Sequence, residues 1–144
     1  MKTAIKILLI ITTSIIAMCF SFIYYAFSKP PRNIETEIPS FIMDAYDLHT
    51  EFSYFQETST HKYANNVVQI SGTITEIVQS EKNVTITLVD IKKGIDCTLS
   101  KKTIENNQDL INDLIPGDPI CLKGKCDGVD MIMGVVLTNC FICN

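Results

Sequence analysis

The sequence predicts a mainly β domain: a small barrel of five strands with one helix between the third and fourth, preceded by an amphipathic helix and an N-terminal transmembrane helix. Three observations point there. Ile7 to Phe27 is a run of twenty-one residues without a charge. At Val67 the apolar period falls from about 3.6 residues to about 2, from helix to strand. Beyond that point three alternating stretches, one helical stretch and two further alternating stretches follow in order.

Residues 1–6 are a short basic start with Lys2 and Lys6, and residues 7–27 read "ILLIITTSIIAMCFSFIYYAF". At about 1.5 Å per residue such a helix spans the roughly 30 Å hydrocarbon core of a bilayer, so Ile7–Phe27 is the expected membrane contact. Tyr24 and Tyr25 stand near one end, where amphipathic rings favour the interface, and Lys29-Pro30-Pro31-Arg32 ends the helix. Two processing signals compete with an uncleaved anchor. A cleavable signal normally has a shorter apolar region of about 7–15 residues, although Ala26-Phe27-Ser28 offers a small-x-small cleavage site. Ile16-Ala17-Met18-Cys19 imitates a lipidation signal at Cys19, with Met18 larger than the residue usual before a lipidated cysteine. Lys2, Lys6 and the α-amino group oppose Lys29 and Arg32, a slim preference for a cytoplasmic N-terminus that the signal-like start reinforces. The soluble part is then periplasmic or extracellular.

Residues 28–39 carry three prolines and read as an extended linker, and residues 40–66 as an amphipathic helix and its connection. There Ser40 is a candidate N-cap, and Phe41, Ala45, Leu48, Phe52 and Phe55 recur at helical steps. His49 and His61 have no third partner at metal spacing and are expected at the surface. The barrel occupies residues 67–144. Val68, Ile70, Gly72 and Ile74 alternate with polar residues, Ser80-Glu81-Lys82-Asn83 makes a turn, and Val84, Ile86 and Leu88 alternate again. Ile95, Cys97 and Leu99 share one face of a third strand. "KKTIENNQDLINDLI" then sets Ile104, Ile111, Leu114 and Ile115 on one helical face until Pro116-Gly117 stops it. "PICLKGKC" and "VVLTNCFI" are the last two strands.

Three meander strands, a helix and two strands is the order of the OB-fold, a five-stranded Greek-key barrel. "HKYANNVVQISGTITEI", "NVTITLVD", "IDCTLS", "PGDPICLKGKCDG" and "GVVLTNCFI" resemble the bacterial tRNA-anti-like OB-fold family. The resemblance rests on a Lys-Tyr element before the first strand, a glycine within it, a "KGKC" fourth strand and a "VVL-x-NC" fifth, and it covers Phe41 to Ile142. It implies the fold more than a function, since many members are secreted or membrane-anchored without an established activity. It also places cysteines at Cys126 and Cys140, which close the loop "DGVDMIMGVVLTN" from its two ends. A disulfide between them is expected, with buried reduced thiols as the alternative. Cys121 with Cys143 is a second candidate pair, and both bonds together would require a register shift or bulge. Strand alternation turns Cys121 away from Cys126 and Cys140 away from Cys143, so no zinc site is expected. Cys97 reads as a small core residue.

Composition narrows the function. From Asn33 onward there are 8 Lys and no Arg against 16 Asp and Glu, a net charge of −8, which works against binding a polyanion. Lys92-Lys93 and Lys101-Lys102 are read as solvated turn charges. OB-folds that bind single strands stack bases on aromatic side chains, and from Val67 to the end only Phe141 is aromatic. Thr85, Thr87, Asp96 and Thr98 instead give the second and third strands a short polar outer face. No nucleophile elbow, phosphate-cradling glycine loop or His-carboxylate pair is present; Asp90, Asp96, Asp127 and Asp130 are scattered, and nothing calls for a cofactor. The expectation is a non-enzymatic binding module that contacts an envelope protein or a small neutral ligand, with a nucleic-acid-binding OB-fold as the alternative. Met131, Ile132 and Met133 are its expected contact residues, three apolar side chains in a loop that should be polar, unless they plug the end of the barrel.

Overall fold

The computed structural model describes residues 2–27, 32–81, 83–89, 94–132 and 134–143. The chain forms two compact units, residues 1–32 and 33–144. The first is helix α1, Lys2–Phe27. Its backbone is one helix of 26 residues; its described side chains are those of residues 6, 11–12 and 14–25. Among the described residues no helix is long and apolar enough to cross a membrane.

The second unit holds a closed barrel. Strand β2 (Val67–Gln79) pairs with β3 (Val84–Leu88), β3 with β4 (Ile95–Leu99), β4 in parallel with β6 (Gly134–Ile142), and β6 with β5 (Pro119–Asp130), which returns to β2. That is the five-stranded closure expected from the order of elements. Within the barrel β2 serves two neighbours because it is long. Val67–Thr73 pair with β5, Ile74–Gln79 with β3, and a bulge between Ile74 and Glu76 bends the strand around the barrel. Alternation holds in all three meander strands: Ile70, Ile74, Val84, Ile86, Leu88, Ile95, Cys97 and Leu99 form the core with Leu122, Leu137 and Cys140.

The segment before the barrel departs from expectation. Phe41–Asp44 is a strand, β1, parallel to β2 with Phe41 opposite Val68, and the Ser40 N–H donates to the Val67 carbonyl rather than capping a helix. Phe41 and Met43 turn inward at period two, a pattern that four residues cannot distinguish from a helical one. Helix α2 (Ala45–Tyr54) starts one turn later, capped by Asp44, whose carboxylate accepts from the Tyr46 N–H at 2.8 Å. A break at Phe55 separates it from α3 (Gln56–Tyr63), leaves Phe55 67% exposed, and lets α2 bury Ala45, Leu48, Phe52 and also His49, which is not at the surface as expected. Gly72 makes this packing fit, since a Cβ there would lie 2.8 Å from the Ala45 Cβ.

The Lys62-Tyr63 element is structural. The buried Tyr63 ring stacks edge-on against Phe41 with centroids 4.8 Å apart, and its hydroxyl donates to Glu51 Oε2 at 2.8 Å. Lys62 donates to the same oxygen at 2.9 Å. These donors, Lys62 foremost, hold the Glu51 carboxyl below its usual range.

Between β4 and β5 the expected single helix is two short ones, α4 (Lys101–Asn106) and α5 (Gln108–Asp113), broken at Asn107. Ser100 caps α4 by accepting from the Thr103 N–H, and buried Thr103 donates to the Cys140 carbonyl at 3.0 Å. The break spoils the predicted face: Ile111 is buried, Ile104 and Leu114 pack at the edge of the core, and Ile115 is 61% exposed.

Candidate functional site

Two compensating bulges set the geometry of the β5–β6 pair. Register is kept from Leu122↔Ile142 to Lys123↔Phe141, slips before Lys125↔Thr138, and is restored at Gly128↔Val136. The first slip is an extra residue on β6 at Asn139, whose φ of +51° lies in the left-handed region that asparagine tolerates better than most residues. The second lies at Asp127 and Gly128, with φ +101° at the glycine. Cys140 is thereby laid over Gly124, where a Cβ would collide with the Cys140 sulfur. The "KGKC" glycine and the "NC" pair are therefore two halves of one packing solution.

The same bulges decide the cysteines. Cys126 lies opposite Leu137, and Cys140 follows the Asn139 bulge, so the expected Cys126–Cys140 disulfide is not formed and both are buried free thiols. Burial pushes both thiols up, and the Cys97 sulfur beside Cys140 pushes that one further. Cys121 and Cys143, the second candidate pair, stand in register outside the bulges, and both are free thiols. Among the described residues no three His, Cys, Asp or Glu side chains converge on a metal position.

Three surfaces remain as candidates for binding. On the outer face of β3 and β4, the Thr85 and Thr98 hydroxyls are 3.4 Å apart and Thr87 donates to Asp96 Oδ1 at 2.8 Å. These groups satisfy one another across the strands and present no cation or aromatic ring. The second surface is a polar cleft of about 500 Å³ between α4 and the ends of β5 and β6, which sequence periodicity had no means of assembling. Lys102 there is paired with the Glu35 carboxylate rather than simply solvated. Lys123 donates to the carbonyls of Glu35 at 2.7 Å and Glu37 at 3.2 Å, and Ile34 is buried, so the chain entering the barrel is strapped along this cleft. Phe141 lines its wall.

The third surface is the tip of the β5–β6 hairpin. Asp130 Oδ1 accepts from the Ile132 N–H at 2.8 Å and tightens the turn, on which Met131 and Ile132 are each 87% exposed. They do not plug the barrel; Met133, the third expected contact, lies outside the described residues. At the base of the hairpin Val129, Gly134 and Val135 share a small crevice with Phe52, Ser53 and Gln56. The break between α2 and α3 thus lies at the same end of the domain, and it carries Tyr54 and Phe55, 78% and 67% exposed. Sequence reasoning assigned Phe55 to the core and passed over Tyr54; two adjacent aromatics at a helix break were the available signal.

The tRNA_anti-like family model matches residues 1–142. Among solved structures the chain is similar to a Klebsiella pneumoniae lipoprotein provisionally described as nucleic acid-binding, at 14% identity and a TM-score of 0.56, over 72% of this chain and 91% of that one. An OBody bound to hen egg-white lysozyme matches at 15% identity and a TM-score of 0.46, over 58% and 86% of the two chains. The asparaginyl-tRNA synthetase of Pyrococcus horikoshii matches at 12% identity and a TM-score of 0.45, over 56% of this chain and 20% of that one. No curated protein matches.

Proposed function

The chain belongs to the tRNA_anti-like family, and on that premise we propose that it is a non-enzymatic OB-fold binding module, tethered to a membrane by α1, that meets an envelope protein through the hairpin tip. The observation that carries this reading is the 87% exposure of both Met131 and Ile132 on a tight turn. Leaving such side chains in water forgoes about 25 cal/mol for each Å² of apolar surface. Tyr54 and Phe55 are exposed at the same end of the domain, and apolar side chains exposed in this way mark sites of protein association. Flexible methionine and rigid aromatic side chains together suit a protein partner.

The tether is supported by the uncharged run Ile7–Phe27, by a family match that begins at residue 1, and by the similar Klebsiella protein being a lipoprotein. The basic start keeps the N-terminus inside and the barrel outside the cytoplasm. Nucleic-acid binding is the competing reading, favoured by the description of that same lipoprotein. Against it stand the net charge of −8 after residue 32 and a sheet face of mutually bonded threonines and an aspartate. A small neutral ligand would find its donors and acceptors in the polar cleft, whose two lysines the chain itself already engages.

A photoreactive residue placed at Ile132 of the full chain, in its native membrane, tests the reading. The expected product is a protein adduct of one discrete mass, absent when the probe stands at Thr98. Adducts from Thr98 alone, or adducts with nucleic acid, would overturn it.

A further inference from the structure

Leu122 and Ile142 are opposed across the antiparallel β5–β6 ladder. One step further out, the Cys143 N–H donates to the Cys121 carbonyl at 2.9 Å, so the two cysteines face each other. Residues opposed in this way share one face of the sheet, with Cα atoms about 5.5 Å apart, inside the roughly 4.4–6.8 Å that a disulfide bridges. The Cys121 sulfur is a close enough neighbour to push the Cys143 thiol up. Both are half-buried, within reach of a small reagent, whereas Cys97, Cys126 and Cys140 are closed to solvent. Cys97 and Cys140 are also neighbours, but both are closed inside the core.

We infer that Cys121 and Cys143 form a redox site, a cross-strand thiol pair that closes to a disulfide by exchange with a low-molecular-weight disulfide and reopens in excess thiol. Burial and the adjoining Cys121 sulfur push Cys143 up to about 12. The thiolate is the nucleophile, and either member of the pair can supply it; in one order of exchange Cys121 attacks first and Cys143 resolves. Cys121 gives its proton to solvent and attacks one sulfur of the reagent; the reagent's S–S bond breaks, and its other half leaves as a thiolate that takes up a proton. Cys143 then loses its proton, attacks the Cys121 sulfur of the mixed disulfide, and expels the second half in the same way. The protein gives up two electrons and two protons, and one reagent disulfide becomes two thiols. Cys143 also lines the polar cleft beside Phe141, so closure fixes that wall by tying the end of β6 to β5.

The test is independent of the proposed function. The full chain in detergent is treated with oxidised glutathione, free thiols are alkylated while it is folded, and the peptides are mapped by mass. The inference expects a linked pair containing Cys121 and Cys143, reversed by reduced glutathione, with Cys97, Cys126 and Cys140 alkylated only after denaturation. In Cys143→Ser, which should melt with the wild type in reductant, a glutathione adduct should accumulate on Cys121 because nothing resolves it. Alkylation of both Cys121 and Cys143 after oxidation, a linked pair containing Cys126 or Cys140, or no more adduct in Cys143→Ser than in the wild type would overturn the inference.

Discussion

Gly124→Ala puts a methyl group where the Cys140 sulfur already sits. The same added atom would lie 3.2 Å from the Thr138 carbonyl oxygen and 3.4 Å from the Cys140 Cβ, so the β6 backbone crowds one side of the methyl that collides with the sulfur. Cys140 has no exposed surface into which to retreat. Forcing a methyl group into a packed core costs about 1–3 kcal/mol, and the backbone contacts argue for the upper part of that range. Replacing glycine also restricts the unfolded chain, which returns roughly 0.4–1 kcal/mol. The net loss is about 1–2.6 kcal/mol, or roughly 4–21 °C in Tm at about 4–8 °C per kcal/mol. Cys140→Ala alone should cost about 1 kcal/mol, mostly for the lost apolar volume. Combined with Gly124→Ala it vacates the space the new methyl needs, so the double variant should lose about 1 kcal/mol less than the sum of the two singles. Thermal and urea unfolding of the four proteins in reductant measures this. A Gly124→Ala protein as stable as the wild type, or strictly additive losses, would refute the account of why "KGKC" and "NC" occur together.

Two further outcomes follow from other parts of the structure. Glu51 has its pKa lowered in the folded state, so the stabilisation it provides is present above the ordinary glutamate value of about 4.3 and is lost as pH falls through the lower folded value. Glu51→Gln keeps an acceptor for Tyr63 but no charge for Lys62; the small difference in Tm between it and the wild type should therefore be greatest near neutral pH and fade in acid, and a difference constant from neutral to acid would contradict the pairing. For the tether, a reporter active only outside the cytoplasm and fused after Asn144 should be active, and activity of a cytoplasmic reporter there instead would reverse the orientation.

The barrel was legible because its meander strands alternate and a helical segment falls between the third and fourth barrel strands. Period two over five or more residues has few other solutions, as Val84–Leu88 and Ile95–Leu99 show. What escaped was short or non-local. Phe41–Asp44 is too brief for helix and strand periods to diverge, and the break at Asn107 carries no proline or glycine to mark it. The cysteine pairing was misread because it rested on two thiols closing one loop from its ends and on the resemblance, whereas the ladder, with an extra residue at Asn139, sets Cys126 opposite Leu137. Asn139 and Gly128 are visible in the sequence as residues that tolerate positive φ, yet only the ladder shows that both do so. Of the candidate site, Met131 and Ile132 stood out because an apolar turn breaks the usual pattern. The Glu35–Lys102 and Glu35–Lys123 contacts join positions 67 and 88 residues apart, a closure that no local pattern encodes.

The central claim, that this barrel presents an apolar hairpin tip to a protein and does not use its sheet face for nucleic acid, meets its most direct test in a titration with single-stranded DNA and RNA. At low salt the attraction between phosphates and protein cations is least screened, so binding of that kind would be strongest there. With the full chain in detergent, the account predicts no retardation of either strand at low salt. Micromolar binding that weakens steeply as salt is raised, and is lost when Thr85 and Thr98 on the sheet face are replaced by aspartate, would contradict it.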